Sequence, residues 1–266
     1  MTDPRPLQGR RALVTGSVGG LGLAMARALA EAGAGVMLTG VEEPAEVEPI
    51  RVALADASGS TVRYRQADLR RPAEIEALVE AARAELGGIE ILVNNAVVRH
   101  FAPVEAFPVE RWDDALAVNL SAAFHTIRLA LPGMREGGFG RIVNMTSVYG
   151  SRGTPERIDY VTTKTAIQGL TRAVATELTE GDISCHALCP GAVLTPAAER
   201  RLQAMMAEEN LTRREAEARF LAGKQPRGAF VAEGSVTRAL LLLCGPAGPD
   251  MNGVILPVEG GWLANP

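Results

Sequence analysis

Short apolar runs alternate with longer stretches of helical period through most of the chain. Runs at 12–15, 36–39, 62–66, 89–93, 141–145 and 183–188 are brief and dense in β-branched and aliphatic residues, which predicts buried strands. Between them, 21–32, 46–57, 72–86, 109–134 and 155–179 carry apolar residues at helical spacing. Leu21, Met25, Ala28, Leu29 and Ala32 form one stripe; Ile75, Leu78, Val79, Ala82 and Leu86 form another. A last helix at 231–243 and a last strand at 254–258 continue the rhythm. Strand–helix–strand repetition with right-handed crossovers predicts an α/β fold: a doubly wound parallel sheet of about seven strands, with helices on both faces.

One segment interrupts this alternation. Residues 195–225 are helical in pattern and rich in charge, with Arg200, Arg201, Glu208, Glu209, Arg213, Arg214 and Glu215. The segment reads either as a solvated helical hairpin or as a lid, since it leaves the carboxyl end of a strand, where α/β sheets bind ligands.

The chain has 266 residues, 47% of them hydrophobic and 22% charged, which suits a single α/β domain over 1–266. A net charge of −4 with intermixed signs leaves no basic patch for a nucleic-acid backbone. No apolar run is long enough to span a membrane, and the N-terminus has no signal-peptide pattern. Cys185, Cys189 and Cys244 are odd in number and form no CxxC pair, which points to a reduced, cytoplasmic setting; Cys185 and Cys189 fall on a predicted core strand and read as packing. His100, His125 and His186 lack metal-ligand spacing, so no metal is expected.

The first predicted strand runs into Gly16-Ser17-Val18-Gly19-Gly20-Leu21-Gly22, with a helix to follow. Glycines in a strand–turn–helix context let backbone approach a pyrophosphate at a helix N-terminus. The spacing Gly-x3-Gly-x-Gly differs from GxGxxG, and alone it is also what a plain tight turn would show. No Arg or Lys occurs at 17–18 or 40–43, while Glu42 and Glu43 are present. A 2′-phosphate would find no cation there, which favours NAD over NADP.

Tyr160 and Lys164 stand four apart on a helix that Pro155 is expected to open, in line with its inward stripe of Ile167, Thr171, Val174 and Leu178. Lys164 is one of two lysines in an Arg-biased chain, so a compact ammonium on a buried face suggests a specific task. Met145-Thr146-Ser147, Asn94-Asn95-Ala96 and Asn119 fall where they could join it.

Taken together, Thr15-Gly16-x3-Gly20-x-Gly22, Asp68, Asn94-Asn95-Ala96, Asn119, Ser147, Tyr160-x3-Lys164 and Pro190-Gly191 with Thr195 resemble the short-chain dehydrogenase/reductase family over essentially the whole length. The resemblance implies a single Rossmann-type domain and hydride transfer between a nicotinamide and a carbinol carbon. It implies Tyr160 as acid/base, Lys164 as its electrostatic partner and ribose contact, Ser147 as the substrate-orienting hydroxyl and Asn119 as a proton-relay residue. Cofactor contacts are implied for Gly16, Ser17, Gly20, Leu21, Gly22, Asp68, Asn95, Tyr160, Lys164, Val193 and Thr195. A homotetramer is implied too, and the apolar end Gly261-Trp262-Leu263 reads as interface material.

Within the family, 101–108, 119–122, 128–134, 224–226 and 260–264 resemble the bacterial D-3-hydroxybutyrate dehydrogenases, which use NAD. Substrate positions depart from that group. Arg99 stands for a glutamine, Tyr149 for a histidine, Arg157 for a lysine, Ala192 for a tryptophan, Arg201 for a lid glutamine, and Val97 for a glycine. Arg99, Tyr149 and Arg157 are therefore the expected substrate contacts. A guanidinium fork suits an anionic substrate, and Ala192 is expected to make room for an acid larger than hydroxybutyrate. An NADP-dependent 3-oxoacyl or other carbonyl reductase, and an idle binding protein on the same fold, are the rival readings.

Overall fold

Alternation along the strands decides the architecture of the computed structural model, which describes residues 5–264. In β1 (Arg11–Val14), Ala12 and Val14 face one helical layer while Leu13 faces the other. In β4 (Ile91–Asn94), Ile91 and Val93 oppose Leu92; in β5 (Phe139–Met145), Val143 and Met145 oppose Ile142. A strand that is apolar on both faces needs a helix layer on each. One layer is α1 (Gly20–Glu31), α2 (Pro44–Ser58) and α9 (Glu233–Cys244), contributing Met25, Leu29, Leu54, Val236 and Leu240. The other is α3 (Pro72–Leu86), α5 (Ala122–Gly137) and α6 (Ile158–Thr176), contributing Ile75, Leu78, Ile127, Met134 and Ala175. Each fully buried Leu, Ile or Met contributes about 1.5–3 kcal/mol.

With β2 (Gly35–Gly40), β3 (Val62–Gln66), β6 (Asp182–Pro190) and β7 (Ile255–Val258), the sheet is seven-stranded, in the order β3-β2-β1-β4-β5-β6-β7. All its pairings are parallel. The carboxyl ends of β1, β4, β5 and β6 therefore open on one rim. The first four residues, part of the N-terminal stretch read for a signal, lie outside the described residues. Among those described, no helix is long and apolar enough to cross a membrane.

Two predicted helices need correction. The 109–134 stretch is not a uniform α-helix: α4 (Val109–Leu116) passes into a π-helical turn over Ala117–Ser121 before α5. The helix predicted from Pro155 begins at Ile158. Pro155 sits in the preceding turn, because Glu156 takes a left-handed φ of 60° and Arg157 an extended φ of −133°, which no helix accommodates. The 195–225 segment folds as α7 (Pro196–Glu209) and α8 (Arg213–Leu221), joined across the hairpin by Arg213–Glu199 and Arg219–Glu209 pairs. Its end is tied back to the sheet: Gln225, only 4% exposed, accepts the Ala192 N–H at 2.7 Å.

Candidate active site

The turn after β1 is shaped by close approach. A Cβ on Gly22 would lie 2.1 Å from the Gly16 carbonyl oxygen and 2.5 Å from the Asn95 amide, so α1 can seat against the turn only without a side chain. Gly16 adopts a left-handed φ of 60° against Ala96. Asn95 locks the arrangement by donating to the Thr15 and Gly16 carbonyls at 3.0 and 2.9 Å. No side chain caps the N-terminus of α1, and Leu21 lies in its first turn, so the first N–H groups of the helix face the rim. The Ser17 hydroxyl is used internally: it donates to Val14 O at 2.7 Å and accepts from Thr39 N–H at 3.0 Å, joining β1 to β2.

At the end of β2, a Cβ on Gly40 would meet Glu42 Oε2 at 2.2 Å and the Val18 methyls at 3.2 Å. That carboxylate oxygen is buried without a hydrogen-bond partner. Burial and the neighbouring Glu42, Glu43 and Glu46 push the Tyr64 phenol up to about 12, which marks this corner as electronegative. Asp68, beyond β3, is held by Arg70, whose guanidinium keeps the carboxyl below its ordinary range.

A buried polar ladder fixes the middle of the rim. Thr126 donates to Asn94, Asn94 to Asn144 and Asn144 to Thr171. Asn119 sits in the π-helical turn. Its Oδ1 accepts from Val98 N–H at 2.8 Å, while Nδ2 donates to Val98 O at 3.0 Å and Thr163 Oγ1 at 3.2 Å. The wider turn brings this amide into register with the 97–101 loop, a signal that helical periodicity does not carry. The same loop is held from the other side by Asp159, which accepts from His100 N–H and faces its ring at 3.1 Å.

Ser147 follows β5, is 8% exposed, and accepts from Tyr149 N–H. Lys164 is buried, and its Nζ donates to Met145 O at 2.6 Å. Burial, with Arg99 adding repulsion, pushes the ammonium down to about 7. Its nitrogen stands 5.7 Å from the Tyr160 ring centroid. Tyr149 stacks edge-on to Tyr160 at 6.3 Å and to Trp262 at 5.3 Å. Trp262, expected at an interface, is instead 7% exposed, because it fills a small cluster with Val148 and Cys189. Ala192 packs on that cluster, so the room expected from its small side chain is shared with the indole.

The three expected substrate residues converge. Arg157 lies 4.5 Å over the Tyr160 ring and 5.9 Å over Tyr149, and Arg99 lies 5.8 Å over Tyr160. Phe101, Phe220 and Lys224 also stand at this mouth and were not singled out by the sequence reasoning. Phe101 carries Arg157 at 4.3 Å, and Lys224 lies 4.1 Å over Phe220. Val193 bridges to Val231 past the end of β6, and Thr195 caps α7 by accepting from Ala198 N–H. Among the described residues no His/Cys/Asp/Glu group could hold a metal ion.

A glycine turn at a free helix N-terminus, with a tyrosine, a lysine and a serine on the same rim, defines a nicotinamide-dependent oxidoreductase. Residues 10–205 match the family model for short chain dehydrogenases, and the chain belongs to that family. It is 39% identical over 258 residues to the D-beta-hydroxybutyrate dehydrogenase of Cupriavidus necator, covering 97% of this chain and 99% of that one. The enzyme of the same name from Rhizobium meliloti is 38% identical over 255 residues, covering 96% and 99%. The structure of L-sorbose reductase from Gluconobacter frateurii, complexed with NADPH and L-sorbose, superposes with a TM-score of 0.93 at 25% identity, over 98% of this chain and 99% of that one.

Proposed function

We propose that the protein is an NAD-dependent dehydrogenase of a secondary alcohol that bears a carboxylate, such as 3-hydroxybutyrate or a larger hydroxy acid. The carrying observation is the Arg157 guanidinium, 4.5 Å over the ring of Tyr160, which sets an anion site beside the acid/base group. When bound, the nicotinamide would supply the hydride acceptor. The residues at hand fit such a cofactor: the Gly16–Gly22 turn admits a pyrophosphate, and Lys164 stands ready for ribose hydroxyls. Leu21, Asp68, Asn95, Val193 and Thr195 line the same rim.

Tyr160 takes the proton of the substrate hydroxyl, and the Lys164 ammonium favours the ionised phenol by charge. Ser147 orients the substrate oxygen. Asn119, its side-chain amide held by Val98 and Thr163, serves the proton relay through water. Arg157, Arg99 and Tyr149 hold the carboxylate.

Glu42 supports the choice of NAD. Its buried, unpartnered oxygen suits ribose hydroxyls as donors and repels a 2′-phosphate. This reading is set against an NADP-dependent carbonyl reductase, which the NADPH in the L-sorbose reductase keeps in view. Intact Ser147, Tyr160 and Lys164 argue against an idle binding protein. We further infer a cytoplasmic homotetramer; burial pushes the Cys185, Cys189 and Cys244 thiols up to about 12, which suits inert packing.

The test is an activity screen of hydroxy acids with NAD and NADP, alongside fluorescence titration of the reduced cofactors. NADH is expected to bind at least about tenfold tighter than NADPH, roughly 1.4 kcal/mol. Tyr160→Phe should keep NADH affinity and lower kcat by about 10²–10⁴-fold. Equal cofactor affinities would overturn the NAD assignment, and an active Tyr160→Phe variant would overturn the mechanism.

A further inference from the structure

The mouth of the site holds more positive charge than one carboxylate uses. Arg157 is largely buried, and its Nε has no hydrogen-bond partner. Phe101 is 55% exposed and carries two guanidinium groups, Arg157 at 4.3 Å from its centroid and Arg201 at 5.5 Å. Arg201 also lies 5.6 Å over Phe220, the ring against which Lys224 is stacked. Lys224 Nζ donates to the Phe220 carbonyl, and no carboxylate answers it. Among the described residues, Arg99, Arg157, Arg201 and Lys224 form no ion pair.

Two arginines of the hairpin are matched by carboxylates, while Arg200 and Arg214, both exposed, stay unpaired among the described residues and away from the aromatic rings. Arg213 is paired with Glu199 and Glu217, and Arg219 with Glu209. The lid therefore neutralises these two arginines with its own glutamates and leaves Arg201 and Lys224 open toward the aromatic mouth. Arg99 and Arg157 repel each other, and Arg157 and Arg201 both repel Lys224, so the four cations share one electrostatic field. Like charges gathered over aromatic faces, some of them half-buried, are unfavourable until an anion joins them. One carboxylate takes a single bidentate fork. Arg157 with Arg99 and Arg201 with Lys224 make two poles, reachable by one small molecule because Phe101 touches both arginines.

We propose that the substrate is a short hydroxy dicarboxylate: one carboxylate held by Arg157 and Arg99 beside Tyr160, the other by Arg201 and Lys224 beneath the lid. This assignment rests on the dehydrogenase reading above and narrows its substrate class.

The experiment compares kcat/KM for 3-hydroxybutyrate, 3-hydroxyglutarate and the monoamide of 3-hydroxyglutarate, in the wild type and in Arg201→Gln and Lys224→Gln. The diacid is expected to exceed both other substrates by about ten- to a hundredfold, and each variant to shrink that preference about tenfold. Calorimetric titration of glutarate and of butyrate, with and without NADH, gives a reading that needs no turnover; glutarate should bind about tenfold tighter or better. Equal binding of glutarate and butyrate, or a diacid preference that survives both variants, overturns the second anion site. Tighter glutarate binding in a protein that turns over no hydroxy acid instead overturns the dehydrogenase reading and leaves the anion site standing.

Discussion

Lys164 shows how much one side chain is asked to do. Its nitrogen is buried, donates to Met145 O, and is pushed down to about 7 chiefly by burial and then by Arg99. A lysine lowered in this way has largely lost its proton by pH 8. Ribose hydroxyls accepting from the ammonium, as proposed, would favour the charged form, so the complex would hold more protons than the free protein. NADH affinity should then rise as pH falls from 9 toward 7, by at most about tenfold per pH unit. Calorimetry at pH 8 in two buffers of different ionisation heat should detect proton uptake on NADH binding, and Lys164→Ala should abolish it. An uptake unchanged in that variant would assign the proton elsewhere. The Tyr160–Lys164 pair was legible because four residues make one helical turn, and the spacing alone sets both groups on one face. Phe101, Lys224 and Trp262 were not legible as site residues: they come from a loop, a lid end and the C-terminal segment, which only the fold brings together.

The first turn of α1 carries the next test. With Gly22 pressed to within Cβ clash of Gly16 O and Asn95 Nδ2, any side chain must push the helix off the glycine turn. Gly22→Ala should cost about 1–3 kcal/mol of stability and weaken NADH binding by at least about tenfold. A melting curve with a fluorescence titration reads both. Unimpaired NADH binding would mean that the phosphate seat lies away from this turn. Strands were the most readable elements, since 62–66 and the other apolar runs keep their place in the sheet to within a few residues. Helix interruptions were not readable. The apolar stripe runs through 109–134 without a break, so nothing in the pattern marks the extra residue that the π-helical turn accommodates around Asn119. Pro155 misled for a physical reason: proline suits the first turn of a helix, yet the left-handed backbone at Glu156 delays the start by three residues.

The molecule as a whole presents apolar side chains that its own core does not cover. Val104 is 64% exposed, Val109 68% and Phe124 50%, and all belong to the stretch leading through α4 into α5. Exposed apolar groups on the α4–α5 rod and the turn that precedes it suit a subunit contact. Sedimentation velocity at micromolar concentration is expected to show a species of four chains of 28.1 kDa, and Phe124→Glu to shift it to smaller forms. A monomer in the wild type would remove the homotetramer. The point where α6 begins has a further consequence. Arg157 ends an irregular loop, and Tyr160, three positions on, stands in a rigid helix packed on the sheet. Under the proposed roles, recognition would lie in the loop and the acid/base group on the helix, so the one can be exchanged without moving the other. A change of side chain in the loop or lid therefore leaves the helix that carries Tyr160 and Lys164 undisturbed.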